Sequence, residues 1–241
     1  MMVQFAIKIA GCVIQVSANY AQTRDYCQEY LTEETADFAV ELTQEDIQKE
    51  HEYDRKEKEL EGLPLRAFSD SYMEQLALYR KIADQIIMRN TLLFHGSVVA
   101  VDGEAYLFTA KSGTGKSTHT RLWRKMFGER AVMVNDDKPL LKIQEDGVLV
   151  CGTPWDGKHK LSTNCMLPLK AICALERGEE NEIHPISAGQ ALPMVMQQSH
   201  RPGNVLKYMD VVDMLTQRVK FYQLRCNMDP EAARISYEAM K

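Results

Sequence analysis

A short glycine-rich segment constrains the fold of this chain more than any other feature. Residues 110–117 read AKSGTGKS, between an apolar β-rich run and a segment with helical periodicity. Gly113 and Gly115 permit a tight turn in which the backbone N–H groups point towards the same bound anion. The N-terminus of the following helix, which is the positive end of its dipole, points to the same place. The segment therefore predicts a phosphate-binding P-loop, and the alternative is a glycine-rich turn without a ligand.

The polar residues of this segment suit a nucleoside triphosphate. Lys116 supplies a positive charge for the β- and γ-phosphates, and the hydroxyl of Ser117 is a ligand for Mg²⁺. ATP, or another nucleoside triphosphate, and Mg²⁺ are therefore the expected cofactors. The expected nucleotide-binding residues are Ser112, Gly113, Thr114, Gly115, Lys116, Ser117 and Thr118.

Two carboxylates follow the next predicted strand. A short apolar run at residues 131–134 leads to Asp136 and Asp137, and Asp136 comes 20 residues after Lys116. That interval accommodates one helix and one returning strand, so we expect the pair at the sheet edge that carries the loop. We interpret the pair as part of the metal site, and the alternative is a surface pair that caps a turn.

The strand that enters the loop belongs to a predicted hairpin. Asp102-Gly103 separates two apolar, β-rich runs, which is a strong signal for a two-residue turn. A parallel P-loop NTPase of the Ras or AAA type would place a crossover helix before this strand. Another turn at Glu145-Asp146-Gly147 predicts a second meander, so we expect an α/β fold with a mixed, largely antiparallel sheet.

The chain is predicted to divide at about residue 90. Residues 1–90 form a small α+β N-terminal section, in which a charged helix begins at Thr43 and an amphipathic helix covers residues 69–89. Residues 91–241 form the core that carries the loop.

Composition excludes several classes of protein. With 45% hydrophobic and 26% charged residues, the chain is neither collagen-like nor disordered. A net charge of −5 does not favour nucleic acid or anionic membranes as partners. No apolar run is long enough to span a membrane, and the six cysteines lack metal-site spacing, so we expect reduced, buried thiols and a cytoplasmic location.

The stretch at about residues 92–143 resembles the HPr kinase/phosphorylase family and its larger relative, ATP-dependent phosphoenolpyruvate carboxykinase. As a whole, the chain looks most like an HPr-kinase-related family found beside peptide-modification genes. The resemblance implies a P-loop kinase core, with the loop helix packed on a mixed sheet, and it allows a homo-oligomer. The elements that match, in chain order, are His95-Gly96, the loop at residues 112–117, the short helix and Asp136-Asp137.

The resemblance also implies roles for the site residues. Asp136 is the general base, His95 orients or tunes Asp136, and Lys116 binds the transferred phosphate. Asp137 joins Ser117 as a metal ligand, with a water molecule between its carboxylate and the metal. The implied activity is an ATP/Mg-dependent kinase that transfers the γ-phosphate to a hydroxyl of a protein, peptide or small molecule, with serine as the expected acceptor. Two alternatives stay open, which are a carboxykinase-like enzyme acting on a small metabolite and a non-catalytic nucleotide-binding regulatory protein.

The loop at residues 152–160 has two interpretations. Its glycines permit close approach, Trp155 offers a rigid contact, and it carries local positive charge, so it either lines the nucleotide or acceptor site or is an ordinary surface loop. An acidic chain that binds a polyanion must concentrate positive charge near it. We expect that concentration at Lys111, Lys116, Lys158, His159 and Lys160.

Overall fold

A computed structural model describes residues 2–65, 67–157 and 159–241 of the chain. These residues fall into two units, which divide between Gln85 and Ile86. The sequence-based division was placed after residue 90. None of the helices in the described ranges is long and apolar enough to cross a membrane.

The first unit combines a four-stranded sheet with three helices. Its elements are β1 (Val3–Ile9), β2 (Cys12–Ala18), α1 (Ala21–Tyr26), β3 (Leu31–Thr32), β4 (Phe38–Glu41), α2 (Gln44–Glu61) and α3 (Asp70–Ile86). The strand order is β3-β1-β2-β4, in which β1 runs antiparallel to β2 and β3, and β4 runs parallel to β2.

Local hydrogen bonds explain two features of this unit. The charged helix α2 begins at a capping box formed by Thr43 and Asp46, as its sequence predicts. Glu74 of α3 is buried, and its carboxylate accepts hydrogen bonds from the backbone N–H of Tyr20 and the hydroxyl of Thr23. Glu74 thereby fixes α3 to the turn after β2, because a buried carboxylate is stable only with such donors.

The second unit contains the remaining elements. They are β5 (Thr91–Leu93), β6 (Ser97–Val101), β7 (Glu104–Thr109), α4 (Lys116–Phe127), β8 (Ala131–Asn135), β9 (Leu140–Gln144), β10 (Gly147–Cys151), β11 (Met166–Arg177), β12 (Glu182–Ile186), α5 (Ala188–Gln198), α6 (Val205–Arg218), β13 (Lys220–Cys226) and α7 (Pro230–Met240). The main strand order is β5-β9-β10-β11-β7-β6-β8, and β13 pairs with both β11 and β12.

The sheet of the second unit is mixed and largely antiparallel, which confirms the fold class predicted from the two turns. Only the pairs β11–β7 and β11–β13 are parallel among the described strand pairs of this sheet. The predicted hairpin is present between β6 and β7. Asp102 and Gly103 have φ angles of 53° and 86°, as a two-residue hairpin turn of type I′ requires.

Helices cover both faces of this sheet. On β6, Val98 and Ala100 belong to a core shared with α5 and α6, whereas Val99 and Val101 belong to a core that contains Trp123 of α4. Because side chains alternate across a strand, a strand buried on both faces is apolar throughout. The continuous apolar run of β6 follows from this arrangement.

The topology brings three segments to one edge of the sheet. β7 and β8 both run antiparallel to β6, which lies between them. The carboxyl ends of β7 and β8 therefore meet the amino end of β6 at the same edge. This edge carries the loop after Thr109, the carboxylates after Asn135 and the histidine before Ser97, as the sequence predicts for the loop and the carboxylates.

Candidate functional site

The glycine-rich loop has the backbone conformation that its sequence predicts. Gly113 and Gly115 have φ angles of 77° and 131°, which other residues rarely adopt. Helix α4 begins directly after Gly115. The Nζ of Lys116 donates a hydrogen bond of 3.1 Å to the carbonyl of Ala110, so the lysine folds back along the loop.

Most of the predicted site residues line one cavity of about 660 Å³. Thr114 differs, since it lies against two neighbouring cavities. The predicted residues on the wall of the first cavity are His95, Ser112, Gly113, Gly115, Lys116, Ser117, Thr118, Asp136 and Asp137. We call this cavity the carboxylate cavity.

Asp136 carries a buried carboxylate held by the hydroxyl of Ser97. The residue is only 7% exposed. Oδ1 accepts a hydrogen bond of 2.6 Å from the Ser97 hydroxyl. Burial raises the pKa of Asp136 above its ordinary value, although the hydroxyls of Ser97 and Ser117 oppose the shift. A fixed carboxylate of this kind can accept a proton from a hydroxyl placed beside it.

His95 pairs with Asp137, whereas the resemblance implied that it orients Asp136. Its Nε2 lies 3.5 Å from Oδ1 of Asp137, and its Nδ1 lies 3.0 Å from Oε1 of Gln198. The carboxylate of Asp136 is instead engaged by Ser97, which occupies the first position of β6. Burial and the nearby charges of Lys138 and Lys116 lower the pKa of His95 to about 4, so the ring is neutral at pH 7.

Lys116, Ser117 and Asp137, the residues predicted to bind phosphate and metal, all line the carboxylate cavity. Burial lowers the pKa of Lys116, and the nearby charge of Asp137 acts in the opposite direction. Among the described residues, no group of three or more His, Cys, Asp or Glu forms a metal site. Mg²⁺ needs none, because it keeps several waters and takes phosphate oxygens, so one hydroxyl and one carboxylate suit it.

Asn135 connects the carboxylate pair to the following loop. Its Oδ1 accepts hydrogen bonds from the backbone N–H groups of Asp137 and Lys138, at 2.9 and 2.7 Å. Its Nδ2 donates to the carbonyl of Thr153 and the hydroxyl of Ser162. The buried amide therefore fixes both the turn of the pair and the loop beside it.

The loop at residues 152–160 lies against the carboxylate cavity. Oδ1 of Asp156 accepts the backbone N–H of Asp136 at 3.0 Å. Gly157 lies so close to Asp136 that an added Cβ would be 3.0 Å from Oδ2. His159 lines the cavity, Lys160 is exposed, and the prediction for Lys158 falls outside the described residues.

Several residues of the site carry no signal in the sequence that predicts their place there. Ser97, Asn135, Asp156 and Gln198 belong to no motif, and only the pairing of strands and loops brings them to the site. Two further cations, Arg121 and Arg124, line the cavity together with Lys116 and His159. Helical spacing could have predicted the two arginines, because positions 117, 121 and 124 lie on one face of a helix.

Comparisons with known proteins give a family match and a distant structural similarity. A model of the family described as "SynChlorMet cassette protein ScmC" matches residues 69–235. No curated protein matches the chain. Among solved structures, the HPr(Ser) kinase/phosphatase from Coxiella burnetii is similar with a TM-score of 0.34 and 11% identity, over 61% of this chain and 97% of that one.

Proposed function

The chain belongs to the SynChlorMet cassette protein ScmC family, and we propose that it is an ATP- and Mg²⁺-dependent phosphotransferase that moves the γ-phosphate to a hydroxyl. The expected acceptor is a serine of a protein or peptide. One observation carries the proposal, namely that a P-loop lysine, a hydroxyl and a carboxylate suited to Mg²⁺, and a second, buried carboxylate line the same cavity.

The donor side of the proposal rests on the loop and the start of α4. The loop and the N-terminus of α4 together suit the phosphate chain, and Lys116 adds a positive charge. Ser117 and Asp137 are the residues that would hold Mg²⁺, which when bound neutralises charge on the β- and γ-phosphates. In this arrangement the Lys116 amine leaves the carbonyl of Ala110 and turns to a phosphate oxygen.

The acceptor side rests on Asp136. In the proposed reaction the acceptor oxygen forms a bond to the γ-phosphorus, and the bond from that phosphorus to the bridging oxygen of ADP breaks. The hydroxyl proton passes to the carboxylate of Asp136. Burial helps this step because it raises the proton affinity of the carboxylate, and the hydrogen bond from Ser97 keeps the carboxylate in place.

His95 has a supporting place in this proposal. Its neutral ring, fixed by Gln198, lies beside Asp137. We assign it the positioning of Asp137, in place of the contact with Asp136 that the resemblance implied.

The test compares binding with transfer. Mg·ATP affinity is measured by calorimetry, and transfer from γ-labelled ATP is followed to serine-containing peptides and to water. Lys116→Ala should abolish detectable binding. Asp136→Asn should bind Mg·ATP within about twofold of wild type and lose about 100-fold or more in transfer, the size expected for a general base.

Two results would contradict the proposal. Absence of Mg·ATP binding by the folded wild-type chain would remove the donor site. Unchanged transfer by Asp136→Asn would remove the assigned base and favour the non-catalytic nucleotide-binding alternative.

A further inference from the structure

A second cavity, of about 440 Å³, adjoins the glycine-rich loop. It shares Gly113, Gly115 and Thr118 with the carboxylate cavity, so the two cavities meet at the loop. Beyond this shared stretch, His119 and Leu122 of α4 face the second cavity, whereas Arg121 faces the first. The ends of β11 and β13 complete its wall, and we call it the Leu122 cavity.

We propose that the Leu122 cavity binds the nucleoside part of the phosphate donor. This inference rests on the proposed function. The glycine-rich motif and the related proteins do not indicate where the base and ribose bind. The inference gives their position and the residues that select for them.

The direction of the phosphate chain follows from the carboxylates. Asp136 and Asp137 line the carboxylate cavity and not the Leu122 cavity, so the reacting γ-phosphate and its metal belong on the carboxylate side of the loop. From the γ-phosphate, the phosphate chain of the nucleotide passes the loop amides and Thr118, the last residue shared by both cavities. Its other end, which carries the ribose and base, is directed into the Leu122 cavity.

The wall of the Leu122 cavity has the chemistry that a base requires. Leu122, Leu175 and Met228 contribute apolar surface from α4, from β11 and from the segment after β13. Met228 is 77% exposed, so apolar surface along the cavity stays in contact with water. A planar base that covers such surface is stabilised by removing it from water.

A buried polar atom gives an independent indication of a ligand. His119 lines the Leu122 cavity, and its Nδ1 is buried without a hydrogen-bond partner among the described residues. Its Nε2 is already engaged, since it lies 3.1 Å from the hydroxyl of Ser236 and 3.2 Å from Nε1 of Trp123. Buried polar atoms without partners are rare in native proteins. A ribose hydroxyl both donates and accepts, so it suits either tautomer of the ring.

The experiment separates the nucleoside from the phosphates. Binding of Mg·ATP and of Mg·tripolyphosphate to the full chain is measured by calorimetry under the same conditions. Tripolyphosphate carries the phosphate chain without base or ribose. We expect ATP to bind at least about tenfold more tightly, because only ATP occupies the Leu122 cavity.

Two matched tryptophan variants locate the difference. Leu122→Trp fills the cavity and should weaken ATP binding at least about tenfold while changing tripolyphosphate binding by less than about twofold. Met126→Trp is the control, because Met126 lies on the same helix, is 44% exposed and lines neither cavity. It should leave both affinities unchanged. Leu122→Gln, which keeps the volume and removes apolar surface, should act in the same direction as Leu122→Trp.

Each contrary result has a distinct meaning. Equal affinities of the wild-type chain for ATP and tripolyphosphate, or equal losses for both in folded Leu122→Trp, would overturn the cavity assignment and leave the proposed function standing. Failure of both ligands to bind would overturn the proposed function, and this inference with it.

Discussion

The hydroxyl of Ser97 joins two elements of the site through two hydrogen bonds. It donates to Oδ1 of Asp136 at 2.6 Å and lies 2.9 Å from the hydroxyl of Thr120 on α4. All three side chains are buried. The position of the Asp136 carboxylate therefore depends on the first residue of β6 and on the helix that follows the glycine-rich loop.

Ser97→Ala should destabilise the protein and reduce transfer. The substitution removes the shortest hydrogen bond to a buried carboxylate, which costs about 1–3 kcal/mol in free energy of unfolding. Chemical denaturation at pH 7 measures this loss. Transfer from γ-labelled ATP should fall with it, because Asp136 loses the group that orients it. Ser71→Ala, which removes a hydroxyl whose hydrogen bond with Ser69 is exposed to solvent, is the control, and equal stability of the two variants would contradict the expectation.

Gly115→Ala should weaken Mg·ATP binding. At a φ angle of 131° an alanine is strained, so the loop must adopt another conformation and its amides lose their arrangement. We expect an affinity loss of about tenfold or more in a calorimetric titration. Gly189→Ala in α5 is the matched control, because a Cβ there meets nothing within 4 Å and φ is not positive. The prediction is wrong if both variants bind Mg·ATP as the wild type does.

Gly157→Ala should separate binding from transfer. An added Cβ would lie 3.0 Å from Oδ2 and 3.3 Å from the carbonyl oxygen of Asp136, so the carboxylate must move. Because the glycine-rich loop takes no part in this contact, Mg·ATP affinity should stay within about twofold of wild type. Transfer should fall about tenfold or more, because the carboxylate that accepts the proton is displaced. Gly203→Ala, with no atom within 4 Å of its Cβ, should change neither quantity. Parallel losses of affinity and transfer would show that the loop, and not Asp136, had been disturbed.

Asp46 should make the first unit more stable at neutral than at acidic pH. Burial raises the pKa of its carboxyl, but hydrogen bonds from Lys81 and Thr43 outweigh burial and hold the pKa below the ordinary 3.8. A carboxyl with a lowered folded-state pKa contributes stability above its unfolded pKa and loses it as the pH falls through the folded value. The stability difference between wild type and Asp46→Asn should therefore shrink from pH 7 to pH 3, as measured by urea denaturation. A constant difference across this range would refute the expectation.

Short-range sequence signals predicted the elements that carry their own turn and cap residues. Asp102-Gly103 predicted the hairpin, and Thr43 with Asp46 predicted the start of α2. The glycine-rich loop and the carboxylates after β8 were placed at one sheet edge by strand counting alone. These predictions succeeded because each depends on residues close together in the chain.

Long-range pairing explains what the sequence did not predict. Gln198 reaches His95 from 103 residues away, and Asp156 reaches the backbone of Asp136 from a loop without regular structure, whose path no local signal predicts. Ser97 engages Asp136, and His95 lies beside Asp137. A side-chain orientation of that kind is decided by packing, which periodicity and motif spacing do not encode.

Helix α1 shows that some local structure also cannot be predicted from nearby residues. It has only six residues, and Tyr20 at its N-cap makes no side-chain capping bond. A helix of this length is unstable by itself, so neither a cap nor periodicity marks it. Glu74, distant in the chain, supplies the backbone partner at its start.

The position of β11 determines when the site is assembled during synthesis. β11 is the parallel neighbour of β7, from the pair Leu169–Ala105 to the pair Ala174–Thr109, so these partners are more than sixty residues apart. A growing chain emerges from its N-terminus, and β7 is therefore exposed on one side until β11 has been made. An intermediate that ends before β11 presents β7, the strand that leads into the glycine-rich loop, as an open edge available to other chains. That edge closes only when β11 pairs with β7, after more than sixty further residues have been added to the chain.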